Sequence, residues 1–171
     1  MTTTQADPRT WTQEQCDLAL AGAMTKCPHC SGKGGYFEQQ FNSTTVNNIT
    51  CEPCNDTGEV PLLELRKPCP WLNSMAGHQD PEEKECKRCD GRRWVPNVTL
   101  ETLLPAMEKA GWLPANIGRS RDDWYWRWER SDDPLTEGDA EGATVRLAAS
   151  QAACVALAAD GVKLEMSNGQ G

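Results

Sequence analysis

Three Cys-x-x-Cys pairs lie within one stretch of the chain: Cys27-Pro28-His29-Cys30, Cys51-Glu52-Pro53-Cys54 and Cys86-Lys87-Arg88-Cys89. A two-residue gap lets both sulfurs of one tight turn reach the same ion at about 2.3 Å, and two such turns complete a tetrahedron. Glycine follows each pair, as Gly32 and Gly34, Gly58, and Gly91. A chain that bends sharply after its second cysteine needs positive φ, which glycine adopts at little cost. Residues 27–95 also hold both histidines and few apolar side chains, so this stretch cannot bury a large core. Metal ligation has to supply the folding energy that burial does not.

Pairing the first two knuckles predicts an all-cysteine zinc site of Cys27, Cys30, Cys51 and Cys54. The residues between them, 35–50, have the length of a hairpin, and Tyr36, Phe37, Phe41, Val46 and Ile49 give it modest strand character. The third knuckle needs two more ligands. Cys69 lies upstream, and His78 is the only histidine besides His29. A second site of Cys69, His78, Cys86 and Cys89 follows by elimination, so two zinc ions per chain are expected, in ligand sets known for structural zinc. The competing reading of His78 is an ordinary surface histidine.

The rest of the chain has a different character. Residues 11–24 suit a short helix, with Thr10 and Gln13 as a candidate capping box. Leu100, Leu103, Leu104, Met107 and Ala110 fall at helical spacing before Gly111, and Pro105 limits where that helix can start. Residues 124–130 alternate, which predicts a strand with Trp124, Trp126 and Trp128 on one core-facing side. An extra strand is expected around Trp112 to Ile117. Residues 132–143 are acidic and glycine-containing and predict a loop, and residues 145–159 predict an alanine-rich helix ending at Gly161. Cys16 and Cys154 fall in predicted helices and are expected as buried thiols. The expected fold class is a small zinc-stabilised α+β protein. Its parts are an N-terminal helical segment (1–26), a double zinc-binding region (27–96), a compact helix–strand–helix unit (97–166) and a disordered tail (167–171).

The knuckles resemble the cysteine-rich zinc-finger region of DnaJ-type co-chaperones, built from Cys-x-x-Cys-x-Gly-x-Gly repeats. Residues 27–34 match that repeat fully. In residues 51–58 Asp56 replaces the first glycine, and residues 86–93 keep Gly91 and lose the second glycine to Arg93. The resemblance covers residues 27–95. It implies a zinc fold, with the hairpin in the place of the spacer between the family's middle repeats, and it implies protein–protein contact. The chain has no His-Pro-Asp signature and no client-binding β domain, so co-chaperone activity is not implied. Stand-alone fingers followed by a small α/β segment also resemble uncharacterised proteins of bacteriophages and prophages.

Charge and cysteine usage narrow the function. The net charge is −8, with 17 basic and 25 acidic residues, which disfavours non-specific binding to phosphate backbones. The first ten residues carry no apolar run of a secretory signal, and no stretch reaches the roughly 20 apolar residues of a membrane span. Nine cysteines, an odd number, fit metal binding in a cytoplasmic chain better than disulfides. Cys27-Pro28-His29-Cys30 also resembles the active-site tetrapeptide of some thioredoxin-fold oxidants, but no βαβ pattern surrounds it. Glu82, Glu83 and Glu85 near the second site suit a solvated acidic loop better than a general base. With both histidines beside metal, no catalytic constellation is visible and no small-molecule substrate is evident. The expected function is therefore that of a non-enzymatic adaptor or regulator, its knuckles binding a protein. The alternative is a nucleic-acid-binding accessory protein using the basic third knuckle: Lys84, Lys87, Arg88, Arg92, Arg93 and Trp94.

Overall fold

The computed structural model describes residues 7–39, 46–70, 89 and 92–164, and of 36–39 and 46–49 the backbone alone. The expected tail lies outside these residues. Among the described residues three α-helices, α1 (Gln13–Gly22), α2 (Leu100–Lys109) and α3 (Val145–Ala159), accompany four small antiparallel sheets. Three sheets are two-stranded: β1 (Met24–Lys26) with β4 (Glu59–Pro61), β2 (Gly35–Gln39) with β3 (Val46–Thr50), and β5 (Arg66–Pro68) with β6 (Trp94–Pro96). The fourth is a meander of β7 (Trp112–Ser120), β8 (Asp123–Arg130) and β9 (Glu137–Gly142), in the order β7-β8-β9. The hairpin expected between the first two knuckles is β2–β3, with Gly35 opposite Thr50 and Gln39 opposite Val46.

Helix starts follow from their caps. α1 is capped by Thr12 and Gln15, not by Thr10 and Gln13: the Gln15 N–H donates to Thr12 Oγ1 at 3.3 Å, and the Thr12 N–H donates to Gln15 Oε1 at 2.8 Å. Thr10 instead closes a short 3-10 turn, its hydroxyl donating to the Asp7 carbonyl at 2.8 Å. α2 starts at Leu100 behind a Thr99–Thr102 box, and Pro105 lies inside it. The proline removes one backbone hydrogen bond without setting the start. The cap and the burial of Leu103 and Met107 on one face offset that loss. Gly111, at φ +86°, stops the helix.

The C-terminal half holds three strands where one or two were expected. The correction concerns residues 132–143: Glu137 to Gly142 form β9, paired with β8. Glu137, Asp139 and Glu141 alternate with Gly138, Ala140 and Gly142, and the second set is buried. The inward face is made of the smallest residues because α3 lies against it. A Cβ on Gly138 would sit 2.3 Å from the Ala156 nitrogen, and one on Gly142 2.8 Å from the Ala148 nitrogen. Period-two patterning is present, but its inward face lacks the large apolar side chains that mark a strand.

Trp126 and Trp128 point to the same side of β8 as Gly138 and Ala140 and are buried, with Trp124 half-buried beside them. The Trp128 indole donates to the Ala149 carbonyl of α3 at 3.2 Å. α3 is alanine-rich because it is enclosed from two sides, by the sheet and by α1. Ala148, Ala149, Ala152, Ala153 and Ala156 are all fully buried, in one core with Trp11, Leu20, Leu103, Met107 and Trp112. Polar clamps fix α1 and the segment before it to α3. Gln151 donates to the carbonyls of Arg9 and Trp11 at 2.9 and 2.8 Å, and Arg146 pairs with Asp17. Burial holds the Asp17 carboxyl above its usual range, against the pull of Gln13 and Arg146. Cys16 and Cys154 are both buried, and burial, then contact with Cys16, pushes the Cys154 thiol well up. No helix among the described residues is long and apolar enough to cross a membrane.

The β9–α3 contact leaves no room for a methyl group. Gly138→Ala is expected to lower unfolding free energy by about 1–3 kcal/mol through overpacking. Gly118→Ala, where nothing lies within 4 Å of the new Cβ, should stay within about 0.5 kcal/mol of the natural chain. Urea denaturation of the two variants checks this; equal stabilities would remove the close-approach explanation of β9.

Candidate metal centre

The two short strands β1 and β4 deliver the first two knuckles to one point. They pair with Met24 opposite Pro61 and Lys26 opposite Glu59, and the Cys27 N–H extends the ladder by donating to the Gly58 carbonyl at 2.8 Å. Cys27 therefore leaves β1 as the chain from Cys54 arrives at β4. The hairpin β2–β3 carries the chain from Cys30 out and back to Cys51.

Each knuckle bends through left-handed residues. Ser31, Gly32 and Gly34 have φ of 53°, 82° and 81°, and Asn55, Asp56 and Gly58 have 47°, 61° and 78°. Asp56 stands where the repeat has glycine, and the geometry accounts for it. Aspartate is one of the few side chains that tolerate this region. Its carboxylate also accepts the Cys51 N–H at 2.7 Å, which ties the knuckle together. Asp56 is a supporting residue that sequence reasoning treated only as a departure; an aspartate at a glycine position of a turn is the signal that could have found it. Gly34 and Gly58 interlock the loops. A Cβ on Gly34 would meet the Asp56 carbonyl oxygen at 2.2 Å, and one on Gly58 the Gly32 carbonyl oxygen at 2.4 Å.

The result is a compact cluster of four sulfurs. The Sγ atoms of Cys27, Cys30, Cys51 and Cys54 all lie within 4.8 Å of one another. The Cys27–Cys51 and Cys30–Cys54 separations are each 3.7 Å. Sulfurs bound tetrahedrally at about 2.3 Å stand about 3.8 Å apart, so the spacing fits a metal ion at the centre. All four side chains are at most 5 % exposed, and among the described residues Val60 packs against them. The Gly34 N–H donates to Cys30 Sγ at 3.3 Å.

Electrostatics set Cys30 and Cys51 apart. Burial pushes the Cys30 thiol up, but the Gly34 N–H and the neighbouring thiols outweigh it and bring it to about 7. Burial and the same neighbours push Cys51 up to about 12. Loss of the Cys30 proton therefore opposes loss of the Cys51 proton beside it. Four soft sulfur donors in a tetrahedral array select zinc, copper(I) or iron over hard cations such as magnesium and calcium.

Of the second expected set, Cys69 and Cys89 are described, and both are buried. They sit at one end of the β5–β6 pair: the Cys69 N–H donates to the Arg93 carbonyl at 3.0 Å, and the Arg92 N–H donates to the Cys89 carbonyl at 2.9 Å. His78 and Cys86 lie outside the described residues, as do Glu82, Glu83, Lys84, Glu85, Lys87 and Arg88. Of the expected basic cluster, Arg92, Arg93 and Trp94 are described: the Trp94 ring carries the Arg92 guanidinium at 5.4 Å, and also that of Arg66, which the sequence reading did not include, at 4.4 Å.

Gly58→Ala is expected to abolish metal retention at the four-cysteine centre, because the new Cβ must displace the Gly32 backbone. Gly22→Ala, which meets nothing within 4 Å, should leave it unchanged. Metal content of the two purified variants checks this; full retention by Gly58→Ala would show that the knuckles need not interlock. No protein-family model, no curated protein and no solved structure matches this chain.

Proposed function

We propose that the chain is a non-enzymatic adaptor or regulator whose N-terminal half is folded around structural zinc, with its knuckle loops as the surface that binds a protein. One zinc ion is assigned to Cys27, Cys30, Cys51 and Cys54, and a second to Cys69, His78, Cys86 and Cys89. The observation that carries this reading is the closed four-cysteine cluster. Buried thiols occupy all four tetrahedral positions, which leaves none for water or substrate, and catalytic zinc needs one open. The loops around it present Pro28, His29, Lys33, Glu52 and Pro53 to solvent, a mixed-charge surface on a rigid frame. Such a surface suits a protein partner better than a uniform phosphate backbone.

The second reading, a nucleic-acid-binding accessory role, draws on Trp94 with Arg66 and Arg92 over its ring and the exposed Arg93 beside it. The net charge of −8 opposes it.

The full chain purified without chelator is expected to carry zinc, and Cys51→Ser to lose one ion and the β2–β3 hairpin. An immobilised zinc-loaded chain should retain a protein from its native cell that the zinc-stripped chain does not, with no mobility shift of DNA or RNA. A shift that weakens steeply with salt would transfer the assignment to nucleic acid. Zinc content near zero would end the reading altogether.

A further inference from the structure

The meander of β7, β8 and β9 has two edges, and among the described residues they are finished differently. At β9 the short turn Pro8–Thr10 lies alongside. Arg9 Nε donates to the Asp139 carbonyl at 3.1 Å and Arg9 Nη2 to the Asp139 carboxylate at 3.0 Å, so a backbone acceptor of that strand is already taken. At β7 the backbone hydrogen bonds among the described residues run to β8. The outward N–H and C=O groups of such an edge are a template for another strand.

The side chains of β7 are open in keeping with that edge. Ile117 stands opposite Trp126, on the side that α3 covers, yet it is 50 % exposed, because α3 packs on β8 and β9. Leu113 stands opposite Glu129 on the other side and is 47 % exposed. Pro114 has no N–H, and a bulge follows it, so the first part of the strand pairs poorly outward. From Asn116 to Ser120 the register with β8 is unbroken.

Charge selects the occupant. A net charge of −8 makes most of the surface repel a second copy of the chain. Residues 109–121 are an exception: they hold no acidic side chain and include Arg119 and Arg121. We infer that β7 pairs with β7 of a second copy, antiparallel about a two-fold axis at Gly118, which joins the two meanders into one continuous sheet. An antiparallel ladder accepts a two-fold axis at either kind of residue pair, and the contact is self-complementary. In this register Ile117 faces Arg119 of the second copy, and Asn116 faces its Ser120, each twice. The sides agree, since Ile117 and Arg119 lie opposite Trp126 and Trp124, while Asn116 and Ser120 lie opposite Arg127 and Asp123. The two Arg119 side chains are not opposed. Each guanidinium sits over its own Trp124, at 5.7 Å from the ring, and its alkyl stem covers Ile117 of the other copy. The ladder is short, so the pair forms and dissociates with concentration, as small interfaces do. It uses no residue of the four-cysteine centre, and the adaptor reading stands or falls without it.

The test is sedimentation equilibrium of the full zinc-loaded chain in reducing buffer, over a concentration series. The natural chain is expected to pass reversibly from one copy to two. Ile117→Lys sets a cation against Arg119 of the second copy, twice, and should weaken the pair by about tenfold. Ile117→Glu sets a carboxylate there and should hold the pair within about threefold of the natural chain, or tighten it. Ile117 is half exposed, so both variants should unfold at the natural chain's urea concentration, which separates loss of pairing from loss of fold. Equal weakening by lysine and glutamate overturns this pairing. So does a mass that keeps growing with concentration, because a two-fold contact closes on itself. A chain that stays at one-copy mass up to about 1 mM, the range of weak pairs, overturns it too and leaves the edge to a strand of another protein.

Discussion

Among the described residues, four cysteine sulfurs and the side chain of Val60 cluster where the two knuckles meet. Burial of that cluster alone does not offset the chain entropy of ordering the two knuckles. The convergence of the thiols on one point therefore has to be stabilised by something else, and a bound cation is the agent their spacing fits. The rest of the N-terminal half depends on that point. It determines where β1 meets β4, and so where Leu62 and the fully buried Leu63 and Leu65 turn into the main core.

The β5–β6 pair is tied to the helical core by one side chain in particular. Arg66, on β5, donates to the carbonyl oxygens of Ala21 and Gly22 at 2.5 and 3.4 Å, at the C-terminal end of α1 where backbone acceptors have no helical partner. The same guanidinium lies over Trp94. A positive charge at that helix end is favourable, and the contact links α1, β5 and β6 through a single residue. α1 in turn packs on α3, so the first and last α-helices among the described residues share one core.

That core is closed by small residues. Alanines on α3 and glycines on β9 let backbone approach backbone, while tryptophans fill the remaining space beneath the sheet. The opposite sheet face carries Arg127 between Glu129 at 2.7 Å and Glu137 at 3.2 Å, with Asp139 paired to Arg9 at 3.0 Å. Half-exposed ion pairs of this kind add little stability. They do leave a polar, mostly acidic outer face.

The sequence by itself determined the pairing of the first two knuckles, the hairpin between them, the limits of α3 and the shared face of the three strand tryptophans. Each follows from short-range chemistry: ligand spacing, glycine at a bend, or the period of one element. Tertiary structure alone decided the rest. The strand β9 was hidden because its inward residues are Gly138, Ala140 and Gly142, chosen by the approach of α3 and not by hydrophobicity. Pro105 is tolerated inside α2 because Thr99 caps the helix and its other face is buried. The likeness of the β1–β4 and β5–β6 pairs could not be read from a cysteine count. It emerged from backbone register, where each hydrogen bond relates residues far apart in the chain.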